Sequence, residues 1–453
     1  MITSASVLFA VFFALLFRSL QLGSYDKMFR DVIESYTGYV QVQQRDFWEE
    51  KTIDNTFSYD PSTDRDINSD PNVLSTVPRL ESFALASSGP KTKGVLVMGV
   101  DPDKEQDLSG ISDKKVLFRI TNQALQHMIN DPALPESVKE LAAFHEGNSY
   151  TSSSRLQMDL GIKDKEAAAM MPAIEGYTRF QNGAITMGEP GVWVGDRLSQ
   201  YLELDIGDTL VLIGQGYHAT TAAGKYPIKG IVKLPLPDID NKVVYLPLDI
   251  CQQLYNAEGN LTSLALHIAD NEDKAISETV DRISGLLPEG QRVLDWREMN
   301  EVLVSQLEAD NYSGMIMIGI LYLVIAFGVF GTVLMLTAER KREFGVMVAI
   351  GMQKRKLASV MTIEMLLIGI IGMAAGSLIA TLLILYGVDH PIVFKGEMAK
   401  MYEDFGMDPV MAFEGINFYF IWQLFIVCLM VMLSMIYPLR KIFGMKVVNS
   451  LRA

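Results

Sequence analysis

Four stretches of this chain are apolar almost without interruption: residues 2–17, 315–337, 357–386 and 418–437. A helix needs about 20 mostly apolar residues to cross a bilayer, and the last three stretches reach that length. The first reaches it only by taking in Arg18, Ser19 and Leu20, with the stem of the arginine buried and its head turned to water. A cleaved signal peptide is the competing reading. No basic leading segment and no small-x-small cleavage site precede Tyr25, which favours an uncleaved anchor.

Between the first and second stretches the pattern changes to short alternations and half-apolar helices. SYDKMFRDVIESYTGYVQVQQ reads as a short amphipathic helix, with Met28, Val32 and Ile33 on one face, followed by a strand over 39–43. DNTFSYDPSTDRDINSDPN, from Asp54, is rich in Asp, Asn, Ser and Pro and reads as an exposed loop. GVLVMGVDP (94–102) is a buried strand ended by a turn. Helical spacing dominates 118–173, and period two then returns in GVWVGDRLSQYL, DIGDTLVLIG, YPIKGIVKL, VVYLPLDICQQLY and SLALHIA. In VLDWREMNEVLVSQLEADN, Met299, Leu303, Val304 and Leu307 share one helix face, so a stalk helix over about 296–312 leads into the second span.

Charge orients these elements. The segment between the second and third spans, AERKREFGVMVAIGMQKRKL, carries Arg340, Lys341, Arg342, Lys354, Arg355 and Lys356 against Glu339 and Glu343, and the tail adds Arg440, Lys441, Lys446 and Arg452 without an acid. The 388–416 loop instead holds Asp389, Glu397, Glu403, Asp404, Asp408 and Glu414 against Lys395 and Lys400. By the positive-inside rule the basic segment and both termini are cytoplasmic. The acidity behind the net charge of −15 therefore lies outside. The expected architecture is an α-helical membrane protein with four transmembrane helices plus a large α+β extracytoplasmic domain. Its parts are a first span over 1–20, a domain of two interleaved parts over 21–310, a second span over 313–337, and a cytoplasmic loop over 338–357. A third span over 358–387, an outer loop over 388–416, a fourth span over 417–437 and a tail over 438–453 follow. Cys428 lies in a span and Cys251 in the domain, so the two cannot pair with each other, and the domain's length allows a core of its own.

Motifs for reaction chemistry are missing. The chain has no G-x-x-x-x-G-K-[ST], HExxH, CxxC or GxSxG. SSGPKTKG (87–94) is the nearest glycine-lysine cluster, and its proline breaks the phosphate-cradling pattern. His127, His145, His218, His267 and His390 are scattered; His145 beside Glu146 reads as a solvated pair, and SYTSSSR (149–155) offers hydroxyls without an adjacent base. Inside the third span Glu364 is costly unless it faces a bundle interior or water. It reads as an interfacial carboxylate bonded to a neighbouring helix or a basic-loop side chain, ahead of a gating or proton-relay role. Gly372 and Gly376 form a GxxxG that lets helices approach closely.

The basic segment brackets FGVMVAIGM, which as a helix extends only about 14 Å, too short to cross. Phe344, Val346, Met347, Val348, Ile350 and Met352 must then be covered by lipid headgroups or by a partner's groove. ERKREFGVMVAIGM resembles the E-R-x-R-E-F-G-x-x-x-A-x-G signature after the second span of FtsX-like permeases of ABC transporters, a family that includes lipoprotein-releasing permeases and MacB-type exporters. EMLLIGIIGMAAG resembles that family's third span, and YPLRKIFGMKVVNSLRA its ending. MGVDP, VWVGDRLSQYLELDIGDTLVL and VLDWREMN are similar to landmarks of the lipoprotein-releasing branch.

The resemblance implies a coupling helix in which Phe344, Gly345, Met347, Ala349 and Gly351 lie at or near the groove of a separate ATPase subunit, with Arg340, Arg342 and Glu343 at its rim. ATP and Mg would be bound by that ATPase, in two copies, with no cofactor or metal on this chain and no catalytic residue. A second permease, identical or paralogous, membrane lipids, and an extracytoplasmic lipoprotein or adaptor complete the implied partners in the bacterial inner membrane; nucleic acid is not among them. Family members generally begin with a basic amphipathic helix before the first span, whereas this chain starts almost at the span, so either its start lies further upstream or this member lacks that helix. The function implied is transmission of ATPase movement to an outer domain acting on lipoproteins or another amphiphile. The alternative is a non-transporting regulator that activates a cell-wall hydrolase or signals envelope stress. A membrane-anchored enzyme has no catalytic constellation to stand on.

Overall fold

The structure is a computed structural model that describes residues 2–394, 398, 401–402 and 410–444, and the backbone alone of residues 2, 3, 303, 306, 307 and 310. It separates into an α+β unit, essentially Phe29–Glu301, and a membrane unit built from the chain on either side of it.

Among the described residues of the membrane unit, four helices are long and apolar enough to cross a bilayer. The first runs over Ile2–Val32 without the expected break near residue 20, because Leu22, Tyr25 and Met28 keep helical spacing beyond the apolar run. It ends in a wider turn, Ile33–Thr37, closed at Gly38 (φ 70°), whose N–H donates to the Ile33 carbonyl. The second runs over Glu301–Glu339. The stalk expected over 296–312 is instead interrupted. Asp295 and Glu298 form a capping box that starts a four-residue helix, Trp296–Met299, and Asn300 (φ −126°, ψ 39°) breaks it before the long helix begins. The expected facing side chains of Leu303 and Leu307 lie outside the described residues.

The third helix, Lys354–Asp389, buries Leu357, Met361, Met365, Gly369, Gly372, Gly376, Ala380 and Ile384, one residue every three or four. The fourth, Phe418–Ser434, is followed by Ile436–Phe443. Val7, Val11 and Leu15 of the first helix join Met361, Met365, Val427 and Val431 in one core. Of the acidic loop, a short strand pair, Ile392–Val393 with Val410–Met411, is described. Lys395, Glu397, Lys400, Glu403, Asp404 and Asp408 lie outside the described residues, as do Lys446 and Arg452 of the tail.

The α+β unit is organised by a nine-stranded sheet. Its strands are β1 (Val40–Gln44), β2 (Val73–Ser88), β3 (Lys91–Val100), β4 (Val192–Gly195), β5 (Thr209–Gln215), β6 (Thr221–Val232), β7 (Val243–Pro247), β8 (Ser263–Ile268) and β9 (Gln291–Asp295). They lie in the order β9-β1-β8-β2-β3-β7-β4-β6-β5, and β5 pairs again with the far half of β2, Leu85 opposite Ile213, so that six strands close on themselves. Closure removes an edge. It encloses Leu80, Val97, Val194, Leu212 and Val244, with Cys251 among them. SSGPKTKG is the hairpin between β2 and β3, with Gly89 at φ 77°.

The helical part, Asn122 to Thr178, has its own core around Ile120, Met128, Leu156 and Ile174. The segment expected as an exposed loop from Asp54 is partly ordered. Phe57–Ser58 pairs with Asn260–Leu261, and Asp60 caps a helix, Pro61–Ile67, whose Ile67 is fully buried. Asp-Pro followed six residues later by an aliphatic side chain is a helix-start signal that composition obscured. The 16-residue β2 and the helix Asp273–Ser284 are further elements that the sequence reading did not name.

Candidate functional site

The segment between the second and third spans is built as helix, turn, helix. Arg340 leaves helical geometry (φ −90°, ψ 5°) and a new helix covers Lys341–Ala349. It stops at Gly351, whose φ of 103° is reached cheaply only by glycine. The Gly351 N–H donates to the Val348 carbonyl (3.1 Å) and the Met352 N–H to the Met347 carbonyl (3.0 Å). These paired bonds form a Schellman cap, which satisfies carbonyls that would otherwise be orphaned. The A-x-G at the end of the motif is therefore a stop signal with a geometric cause.

This short helix has two faces. Phe344 is 4% exposed, inside the core of the membrane unit with Leu357 and Met361, and Gly345 is buried beside it. Met347 and Val348 pack partly against the same core. Phe344 and Gly345, expected at or near a partner's groove, are turned toward their own chain. They anchor the helix to its own chain. Phe344, Met347 and Val348, spaced i, i+3, i+4, are the inward stripe. The outward side carries Arg342, Glu343, Val346 and Ala349, and the turn carries Ile350, Gly351 and Met352, with Ile350 82% exposed.

One ion pair holds the entrance to this helix. The Arg340 guanidinium donates through Nη1 to Glu364 Oε1 (2.5 Å) and Oε2 (2.6 Å), and through Nε to Glu343 Oε2 (3.2 Å). Glu364 is thus paired with a basic-loop side chain, at 42% side-chain exposure. Deeper in the span, a methyl on Gly372 would sit 2.7 Å from the Ser4 carbonyl oxygen, and one on Gly376 2.5 Å from that of Leu8. The two glycines bring the backbone of the third helix against that of the first. Their role is packing.

Residues 315–447 match the family model described as FtsX-like permease C-terminal. This part of the chain is similar to an FtsX-like permease domain. The lipoprotein-releasing system transmembrane protein LolC of Xylella fastidiosa, strain Temecula1 / ATCC 700964, is 24% identical over 197 residues, which are 42% of this chain and 46% of that protein. LolC of strain 9a5c matches to the same extent. The chain thus spans about half the length of these relatives. Two solved structures show slight likeness at 9% identity. The extracellular domain of the ABC-type transporter YknZ from Gram-positive bacteria gives a TM-score of 0.28 over 53% of this chain and 90% of that one. The periplasmic region of MacB from Actinobacillus actinomycetemcomitans gives 0.31 over 61% and 97%.

Every coupling and intramembrane residue singled out from the sequence, Arg340 to Gly376, falls within the FtsX-like domain. The chain outside it contains polar clusters that the sequence did not announce. Arg79 is fully buried and donates to both oxygens of Glu105 (Nε to Oε2 2.9 Å, Nη2 to Oε1 2.6 Å) and to the Tyr36 carbonyl. The Tyr36 hydroxyl donates to Glu81 (3.0 Å), and burial, reinforced by that carboxylate, raises its pKa well above the usual range.

A second cluster joins Arg119 to Asp196 (2.5 Å) and to Ser149 (2.9 Å), whose hydroxyl donates to Asp196 (2.7 Å). Next to it Asp240 accepts from the backbone N–H groups of Asp196, Arg197 and Leu234. Burial first, and then the Asp196 charge, push its carboxyl up to about 7 against the opposing pull of those donors. Ser149 thus has a carboxylate at hand, but both groups are buried and the hydroxyl is committed to an ion-pair network. His145, expected in solvent, is buried beside Asn148 (3.0 Å). These clusters fasten elements together.

Proposed function

We propose that the chain is the permease subunit of an ABC transporter in the bacterial cytoplasmic (inner) membrane, with its basic turn and both termini inside and the α+β unit outside. The observation that carries this reading is the exposed turn on an anchored helix. Ile350 stands in the open at the end of a helix whose other face is sunk into the membrane core and whose entrance is tied by Arg340 to Glu364. A large aliphatic side chain presented on a fixed support is the form a partner's apolar pocket requires. The partner is a separate ATPase that holds ATP and Mg. Two ATPases serve this chain together with a second permease, identical or paralogous.

In this reading ATPase closure pushes on the turn. The push passes along the unbroken helix Glu301–Glu339 to the α+β unit. The similarity to LolC favours lipoproteins, or another amphiphile, as what that unit handles, with a lipoprotein or adaptor as a further outer partner. The test is co-purification of the ATPase with full-length permease. Ile350→Asp or Val346→Asp is expected to abolish it while the permease stays folded. Phe344→Asp is expected to unfold the membrane unit instead. Undiminished ATPase capture by Ile350→Asp would sink the coupling role. A cell-wall hydrolase recovered on the α+β unit, with no amphiphile handled, would move the function to signalling.

A further inference from the structure

The membrane unit holds a second polar cluster, away from the coupling turn and the glycine contacts. Arg18, near the end of the first apolar run, donates to the side-chain oxygens of Gln21 (2.8 Å) and Asn311 (3.3 Å). Both are neutral amides, so its charge is unmatched by them. The guanidinium borders a cavity of about 550 Å3 between the second and fourth helices. Tyr322 and Gln423 also line this cavity; Gln423 is only 5% exposed. Its Oε1 and the Tyr322 hydroxyl are buried with no hydrogen-bond partner among the described residues. A buried polar atom without a partner costs about 1–3 kcal/mol. Two such atoms on residues that line the cavity, beside a cation whose hydrogen bonds among the described residues go to neutral amides, point to a polar, anionic occupant.

Tyr322 also lines a second cavity, of about 500 Å3, which carries the groove onward between Phe327, Phe330 and Leu433. Phe330 lies about 12 Å beyond Tyr322 along the helix. Gln423 lies about 9 Å from Asn417, where the fourth helix starts. The groove is therefore polar toward the helix ends marked by Asn311 and Asn417, and apolar toward the middle of the spans. That gradient is the profile of one lipid in one leaflet. Both volumes fall in the range of small-molecule sites, about 300–1,000 Å3.

We propose that this groove is a binding site for a single glycerophospholipid, with its phosphate on Arg18 and Tyr322, a head-group hydroxyl or ammonium donating to Gln423, and an acyl chain along Phe327 and Phe330. A phosphate answers the arginine charge and accepts from the tyrosine hydroxyl. Gln423 Oε1 needs a donor, which phosphatidylglycerol offers and phosphatidylcholine, whose head has no N–H or O–H, does not. The inference depends on the helices crossing a bilayer and is independent of any ATPase.

The test is native mass spectrometry of the full chain released from mild detergent after titration with dioleoylphosphatidylglycerol or dioleoylphosphatidylcholine. The unaltered chain is expected to retain one phosphatidylglycerol, preferred over phosphatidylcholine by about threefold or more. Arg18→Gln is expected to weaken retention about tenfold, and Arg18→Lys, which keeps the charge, to restore most of it. Gln423→Leu is expected to erase the preference between the two lipids while both still bind. Ala326→Trp, which fills the second cavity without touching the polar groups, is expected to displace the lipid. Equal retention of both lipids by the unaltered chain, or undiminished retention by Arg18→Gln, overturns the proposal. So does a self-association that occludes the groove and leaves no lipid adduct.

Discussion

The two units each contain an arginine–carboxylate pair, and they use it differently. Arg79 and Glu105 have 1% side-chain exposure each and lie deep in the α+β unit. Arg340 and Glu364 keep 37% and 42% exposure at the edge of the membrane unit. A closed pair of this kind gains little over apolar residues but is costly to break, because the remaining charge has no water. An open pair contributes little to stability in either direction. The α+β unit is thus held by interactions that resist change. The membrane unit is held by backbone contact at glycines, and it leaves its polar pair and Ile350 where something else can reach them. The contrast separates parts built to stay from parts built to be met.

Breaking the buried pair tests the first half of that contrast. Arg79→Met leaves Glu105 unpaired and frees the Tyr36 carbonyl, with an expected loss of about 3–5 kcal/mol. Denaturant unfolding or limited proteolysis of the purified full chain would register it, and Arg79→Met combined with Glu105→Leu should recover much of the loss.

Next in size is a pH dependence confined to the α+β unit. The Asp240 carboxyl titrates near 7 in the folded unit and at about 3.9 in an unfolded chain. A raised folded value means that the stability from the neutral form is complete below about 3.9, declines as pH rises, and is gone above the folded value, with a slope of at most about 1.4 kcal/mol per pH unit. Melting of the unit at pH 5 to 8 should fall and then level off, and Asp240→Asn should flatten the curve.

In the membrane unit Gly376→Ala forces a methyl to within 2.5 Å of the Leu8 carbonyl oxygen. An expected cost of about 1–3 kcal/mol should appear as an earlier thermal transition in detergent, with Gly328→Ala, which meets nothing within 4 Å, as the silent control. The smallest effect is expected from Glu364→Gln. Its pair is half open, so stability should change by less than about 1 kcal/mol, yet ATPase association should weaken because Arg340 no longer ties down the helix. A Glu364→Gln chain that unfolds as readily as Arg79→Met would erase the distinction between the two pairs.

The sequence made these units legible to different depths. Long apolar runs and charge asymmetry show the spans because the bilayer imposes one length and one composition on each. The alternating segments gave most strands of the α+β unit by the same local logic. What escaped was non-local. The second pairing of β2, which closes the sheet, joins Leu85 to Ile213, and Arg79 meets a carboxylate 26 residues away; neither leaves a trace in spacing. Phe344 is a different case. Its inward direction was readable from the stripe it shares with Met347 and Val348, and the basic flanks drew attention to charge instead of phase. Arg18 was seen, but only as a snorkelling end group, since nothing in the chain order places Tyr322 and Gln423 beside it.

The position of β1 has a consequence for biosynthesis. It is the first strand of the α+β unit to be made, and its neighbours are β8 and β9, the last two, with Val40 opposite both Leu266 and Asp295. The strand that follows the first span therefore waits unpaired until nearly the whole unit has left the ribosome, about 10–50 s at ordinary elongation rates. Gln41 and Gln43, which become fully buried, keep that waiting strand half polar. Its completion makes the unit a clasp that shuts only when the second membrane helix is about to be synthesised.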